Sequence, residues 1–260
     1  MTYLPVHLHR RGVYIQYCDR SFPRPGIAML VKQRMTLIAL VLALPGPLSG
    51  QNVSIDEGAY RVSLNGEVVG REEFSIRRVG MGDQARLHLR GKVDLDLPDG
   101  LRSLTLAVRA AGTEMGVTAY QLKVEGGGDS EIHVSRSGRR FLAKVLSSRG
   151  EEVREFRAGP GSILLDRDLA HVHFLLVPFL SNPSGVSLSV LSPLAGEQTR
   201  MTFSFEGQEE VRVGTDLIQG RHYRLEGGAG SRDIWFDEQG RILRVVIPSW
   251  GYVAERESLG

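Results

Sequence analysis

Tyr60-Arg-Val-Ser-Leu64, then Asn65-Gly66, then Glu67-Val-Val-Gly-Arg-Glu-Glu-Phe-Ser-Ile76 is the stretch that decides the fold. Tyr60, Val62 and Leu64 alternate with Arg61 and Ser63, which is the period of a strand with one buried face. Asn65-Gly66 supplies the two positive φ angles of a tight hairpin turn, and the chain returns along Glu67 to Arg78. The same alternation recurs at Leu87/Leu89, Leu104/Leu106/Val108, Tyr120/Leu122/Val124 and Ile132/Val134. It resumes after Pro183 at Met201/Phe203/Phe205, Val211/Val213, Tyr223/Leu225 and Trp235 to Val246, where Asp237-Glu-Gln-Gly240 turns the last hairpin. Turn residues fall at Pro98-Asp99-Gly100, Gly126-Gly-Gly128, Ser137-Gly138 and Arg149-Gly150. The pattern predicts a mainly β domain of roughly a dozen antiparallel strands, enough to curl into a barrel, half-barrel or sandwich.

One segment breaks the alternation: Ile163-Leu-Leu-Asp-Arg-Asp-Leu-Ala-His-Val-His-Phe-Leu-Leu-Val-Pro-Phe-Leu180. It predicts one apolar helix of about three turns, capped by Asp166 or Asp168 and ended by Pro178 and the Ser181-Asn-Pro-Ser-Gly185 run. Leu169, Val172, Leu176 and Leu180 share one helical face, and Phe174, Leu175 and Phe179 make the other apolar too. Such a helix is buried or covers something apolar.

The 260 residues are 42% hydrophobic and 24% charged with one Cys, which excludes wholesale disorder, a collagen repeat and a disulfide scaffold. The net charge of +2 resolves into +5 over residues 1–50 and −3 over the remainder, so no basic stripe for nucleic acid is expected in the folded part. Lys32 and Arg34 precede the nine-residue run Thr36–Leu44, followed by Pro45-Gly-Pro-Leu-Ser-Gly50. This is the anatomy of a secretory signal peptide, too short for a bilayer span of about 20 residues. Residues 35–50 are therefore assigned to the signal and 1–34 to an upstream extension, either non-native or a disordered basic arm. Residues 51–260 form a single β-rich domain, with two lobes joined at 160–185 as the variant. Leu48-Ser49-Gly50 is followed by Gln51 and not by the Cys that a lipoprotein signal needs, and Cys18 lies in the extension. The expectation is a soluble periplasmic or secreted protein that does not span the membrane after cleavage.

His171-Val-His173 is the best metal candidate, but on a helix positions i and i+2 diverge by about 200°, and the third ligand that zinc needs, from His88, His133, His222, Asp166 or Asp168, would have to come from a distance. No cofactor is expected. Asp94-Leu-Asp-Leu-Pro-Asp-Gly100 has the wrong spacing for a calcium loop and reads as a polar turn. Glu72/Glu73, Glu151/Glu152 and Glu209/Glu210 read as solvated edges. Nucleophile elbows, zinc-protease helices and phosphate loops are absent from the sequence.

Three stretches together, Tyr60 to Ile76, Leu164 to Phe174 and Trp235 to Pro248, resemble uncharacterised exported bacterial proteins related to the domain-of-unknown-function family 3108. The resemblance implies a strongly curved antiparallel sheet, half-barrel or barrel-like, similar in outline to periplasmic lipoprotein carriers, and it transfers no catalytic residues. The functional expectation is a non-enzymatic envelope protein that binds a lipid, acyl chain or other hydrophobic small molecule in a concave sheet. Its apolar cleft would be lined by Leu169, Val172, Phe174, Leu176, Phe179 and Leu180. A scaffold with a filled core that binds another envelope protein is the alternative, and a hydrolase using His171 or His173 with Asp166 or Asp168 carries least weight.

Overall fold

The computed structural model describes residues 52–182, 184–228 and 230–259. The segments expected to be an upstream extension and a signal peptide, residues 1–34 and 35–50, and Cys18 lie outside the described residues. Eight strands form the first run: β1 Asn52–Leu64, β2 Glu67–Val79, β3 Arg86–Leu97, β4 Gly100–Ala111, β5 Gly116–Glu125, β6 Ser130–Ser137, β7 Arg140–Ser147 and β8 Gly150–Arg157. After β9 Ser162–Leu164 comes a tightly wound 3-10 segment, His171–Phe179. Six more strands follow: β10 Val186–Ser192, β11 Glu197–Val213, β12 Asp216–Glu226, β13 Arg232–Phe236, β14 Ile242–Ile247 and β15 Tyr252–Arg256.

All fifteen strands belong to one sheet, in the order β8-β7-β6-β5-β4-β3-β2-β1-β15-β14-β13-β12-β11-β10-β9. Every pairing is antiparallel except β9 with β10. The turn between β1 and β2 is the expected one, with Asn65 at φ 51° and Gly66 at φ 88°. The curved sheet is barrel-like and nearly closed. Near the gap, the side-chain amide of Gln198 on β11 imitates a strand pairing: it donates to Arg157 O at 2.7 Å and accepts from Arg157 N at 3.0 Å.

The last hairpin was expected to end near Val246, but a further strand follows. Pro248–Trp250 turns the chain and β15 then runs between β14 and β1, with Tyr60 opposite Arg256 and Leu64 opposite Tyr252. β15 thus joins the two runs of the meander. At five residues, it offers too few alternations to stand out by period alone.

The inward rows, among them Tyr60, Val62, Ile76, Leu89, Leu106 and Leu122, form one continuous core with the segment threaded inside the sheet. A second, smaller cluster lies on the outer side. A bulge between Phe205 and Gly207 shifts the β11–β12 register by one residue, and a one-residue shift turns every later side chain to the opposite face. Val211 and Val213 accordingly leave the interior and pack with Trp235 and Leu243.

Asp56 and Arg256 form a bidentate ion pair inside this frame, with Nη1 to Oδ2 at 2.9 Å and Nη2 to Oδ1 at 2.6 Å. Both side chains are almost wholly buried. The guanidinium also donates to Ser258 O at 2.9 Å and Glu57 O at 3.0 Å. Arg256→Ala would strand the Asp56 carboxylate without its partner. The expected result is a loss of about 3–5 kcal/mol in denaturant-unfolding free energy.

Candidate functional site

Segment 165–180 occupies the interior, but its start differs from the expected one. Neither Asp166 nor Asp168 caps it; the residue before its first turn, Ala170, has helical angles and makes no side-chain cap bond. The cap comes from across the sheet. Glu72 on β2 accepts from Ala170 N at 2.7 Å and from His171 N at 2.8 Å, satisfying two N–H groups that a short helix leaves free. Glu72 is therefore not a solvated edge; it is fully buried, while Glu73 beside it is exposed. The other two acidic pairs are exposed as expected.

Leu169, Val172, Phe174 and Leu176 are buried in the main core, and Phe179 and Leu180 pack half-buried against it. The six residues expected to line a cleft thus sit together, in contact with the sheet interior. His171 and His173 are also fully buried, and their rings take separate partners. His171 Nδ1 lies 2.5 Å from Glu72 Oε1, and the ring lies over the inner face of β3 at Gly91. A Cβ at Gly91 would come within 2.3 Å of the imidazole, so the absent side chain makes the room for it. Among the described residues, His171 Nε2 is buried without a partner. His173 Nδ1 donates to Ala170 O at 3.0 Å and its Nε2 accepts from Arg232 Nη1 at 3.1 Å. Neither imidazole bonds Asp166 or Asp168. Among the described residues no three His, Cys, Asp or Glu side chains are grouped to hold a metal ion.

Asp166 is the centre of a second buried network. Tyr120 OH donates to its Oδ2, and Ser192 Oγ and Leu194 N donate to its Oδ1 at 2.6 and 3.0 Å. Burial nevertheless pushes its carboxyl above the usual carboxylate range, against the effect of these donors. Burial, with the Asp166 charge added, raises the Tyr120 phenol well above its ordinary value.

Arg232 opens β13 on the same side as the inward Ile234 and Phe236. It donates to His173 Nε2 and, at 3.4 Å, to the carbonyls of Asp166 and Leu165. Among the described residues it bonds no carboxylate. Five N–H donors therefore meet only three protein acceptors. The guanidinium faces a cavity of about 210 Å³ at one end of the sheet. The β10–β11, β12–β13 and β14–β15 connections surround this cavity. Met201, Val190 and Ile247 give it an apolar wall, and the half-exposed Trp250 stands at its rim with the Arg167 guanidinium 3.8 Å above the ring.

Sequence reasoning missed Glu72, Tyr120 and Arg232. The available signal was parity: Glu72 shares a row with Phe74 and Ile76, Tyr120 with Leu122 and Val124, and Arg232 with Ile234 and Phe236. A polar residue in an apolar row is either paired or functional.

A family model described as a domain of unknown function, DUF6134, matches residues 185–257. The match spans β10 to β15 and so contains Arg232 and most of the cavity wall, but neither the interior segment nor the first eight strands. No curated protein and no solved structure matches the chain.

Two outcomes test this geometry. Gly91→Ala should displace His171 and lower stability by about 1–3 kcal/mol in denaturant melts, as overpacking does. Burial, and next the Arg232 cation, lower the His173 pKa from 6.5 to about 3. Between those values the unfolded chain binds the proton that the folded chain refuses, so this contribution to stability is complete above pH 6.5 and fades as pH falls toward 3. The raised Asp166 carboxyl works in the opposite direction, favouring the folded state at low pH. His173→Gln should therefore flatten the acid-side fall of the thermal midpoint relative to the parent.

Proposed function

We propose that the chain is a non-enzymatic envelope protein that holds the polar end of an amphipathic ligand in the end cavity, with Arg232 as the anchoring group. The observation that carries this reading is a largely buried guanidinium that hydrogen-bonds no carboxylate among the described residues and faces a cavity with an apolar wall. A fixed cation beside apolar surface complements a carboxylate or phosphate head joined to a hydrocarbon tail. The volume is below the roughly 300 Å³ at which drug-sized sites begin, which fits a head group or a small acid better than an entire lipid. In this reading Leu169, Val172, Phe174, Leu176, Phe179 and Leu180 do not touch ligand. They anchor the segment whose Asp166 and His173 surround Arg232. The export leader read in residues 35–50 supports a periplasmic or secreted location.

The filled interior favours a second reading, a scaffold whose partner is another envelope protein. Native mass spectrometry of the protein purified after export separates the two. The expected result is a small-molecule adduct that survives gentle ionisation and is lost in Arg232→Met with the fold retained. Bare protein at its calculated mass, together with a stoichiometric protein partner in pull-downs, would overturn the ligand reading.

A further inference from the structure

The outer face of the first run of strands carries a feature independent of the end cavity. Outward positions on β2, β3 and β4 place Arg77, His88 and Arg109 as direct neighbours across three strands, with Arg86 and Arg90 on either side of His88. All four arginines are exposed. None forms an ion pair or a side-chain hydrogen bond among the described residues. The adjoining charged row behaves differently: Arg71 pairs with Glu73, Lys92 with Asp94 and Lys123 with Glu125. The flanking carboxylate on β1, Glu57, stands opposite Ser75 and takes the Ser54 hydroxyl at 3.4 Å.

Two of these arginines, Arg90 and Arg109, border a hollow. Ala107 and Ala119, short side chains facing out between longer neighbours, sit beside His88, Arg90, Arg109 and Gln121 around a space of about 330 Å³. Like charges on neighbouring strands repel, and among the described residues no carboxylate pairs with these cations. The folded domain as a whole is acidic, at −3 from residue 51 onward, so the local excess of cations is not a by-product of composition.

We propose that this outer-face hollow binds a phosphoryl group carrying two negative charges, gripped by Arg90 and Arg109, with Arg77 and Arg86 supplying the surrounding field. Adjacent strands lie about 4.8 Å apart, so the two guanidinium forks reach one group from neighbouring strands. Arginine suits the task because its planar fork makes paired hydrogen bonds to phosphate oxygens. Burial, followed by Arg109, Arg90 and Arg86, lowers the His88 pKa, leaving a neutral ring able to donate one further bond. Gln121 supplies an amide donor on the far side.

Titration calorimetry of the full chain with pyrophosphate at low ionic strength tests the chemistry. Flotation with vesicles of phosphatidylcholine, with and without phosphatidic acid, tests its source. Binding of pyrophosphate that weakens with added salt, and by about tenfold or more in Arg90→Ala/Arg109→Ala, supports the site. Pyrophosphate binding without vesicle capture identifies a soluble phosphorylated ligand, and capture by phosphatidic acid vesicles identifies a lipid head group. Arg77→Gln/Arg86→Gln is a second variant, expected to weaken binding by a smaller factor. The thermal midpoints of both variants should stay at or above the parent's, since repulsion is removed. Absence of binding to both probes, or binding unchanged in both variants, would overturn the proposal. So would a duplex DNA fragment that binds more tightly than either probe, since the partner would then be a polymeric backbone.

Discussion

The sheet depends on one buried ion pair near its join. Asp56 lies on the first strand and Arg256 on the last, and the bidentate contact between them crosses the seam where the two runs of strands meet. Two charges removed from water lose several kcal/mol of hydration each, and their mutual attraction offsets this only with good geometry and further bonds. The seam meets both conditions, because the guanidinium also reaches the carbonyls of Glu57 and Ser258. Such a pair adds little net stability over a well-packed apolar substitute. Its effect is selective: a slipped register between β1 and β15 would separate two charges in an apolar interior.

The same logic governs the interior segment. A short 3-10 turn has little intrinsic stability, and Pro178 contributes no N–H. The segment is fixed by groups from the wall: Glu72 from β2, Tyr120 from β5, Ser192 from β10 and Arg232 from β13. Each of these polar groups has a partner, so the buried network orients the segment as well as filling space. The position of Arg232 at the end cavity is a by-product of that arrangement. Two of its contacts are main-chain carbonyls and one is a neutral imidazole; the Asp166 carboxylate attracts its charge but, among the described residues, no carboxylate accepts a hydrogen bond from it.

Strand parity made most of the fold legible from sequence. The alternation at Tyr60 to Leu64 and its repeats identified the strands, the Asn65-Gly66 turn was read with its φ signs, and Gly126 to Gly128 falls in a turn. Short-range patterns failed where a partner is remote. Asp166 looked like a helix cap because it precedes an apolar run, yet its acceptor capacity goes to Tyr120, Ser192 and Leu194, while the cap comes from a residue 98 positions away. Glu72 looked solvated because it stands beside Glu73, although its parity with Phe74 and Ile76 said otherwise. The outer arginines were countable in the sequence, but only the registers of β2, β3 and β4 show that they are neighbours.

The order of strands has a consequence for how the chain acquires its shape. Synthesis proceeds from β1 toward β15, and every other sequential pairing along the first run is a hairpin that can zip as it emerges. β1 alone has a neighbour about two hundred residues away, so one of its edges must wait for the final strand. Contacts of such long sequence separation slow folding, and the waiting edge is exposed to mispairing meanwhile. Closure of this seam is therefore a late, all-or-nothing event that reads whether β15 has arrived, and a chain truncated before Arg256 would keep a meander of intact hairpins around an open seam.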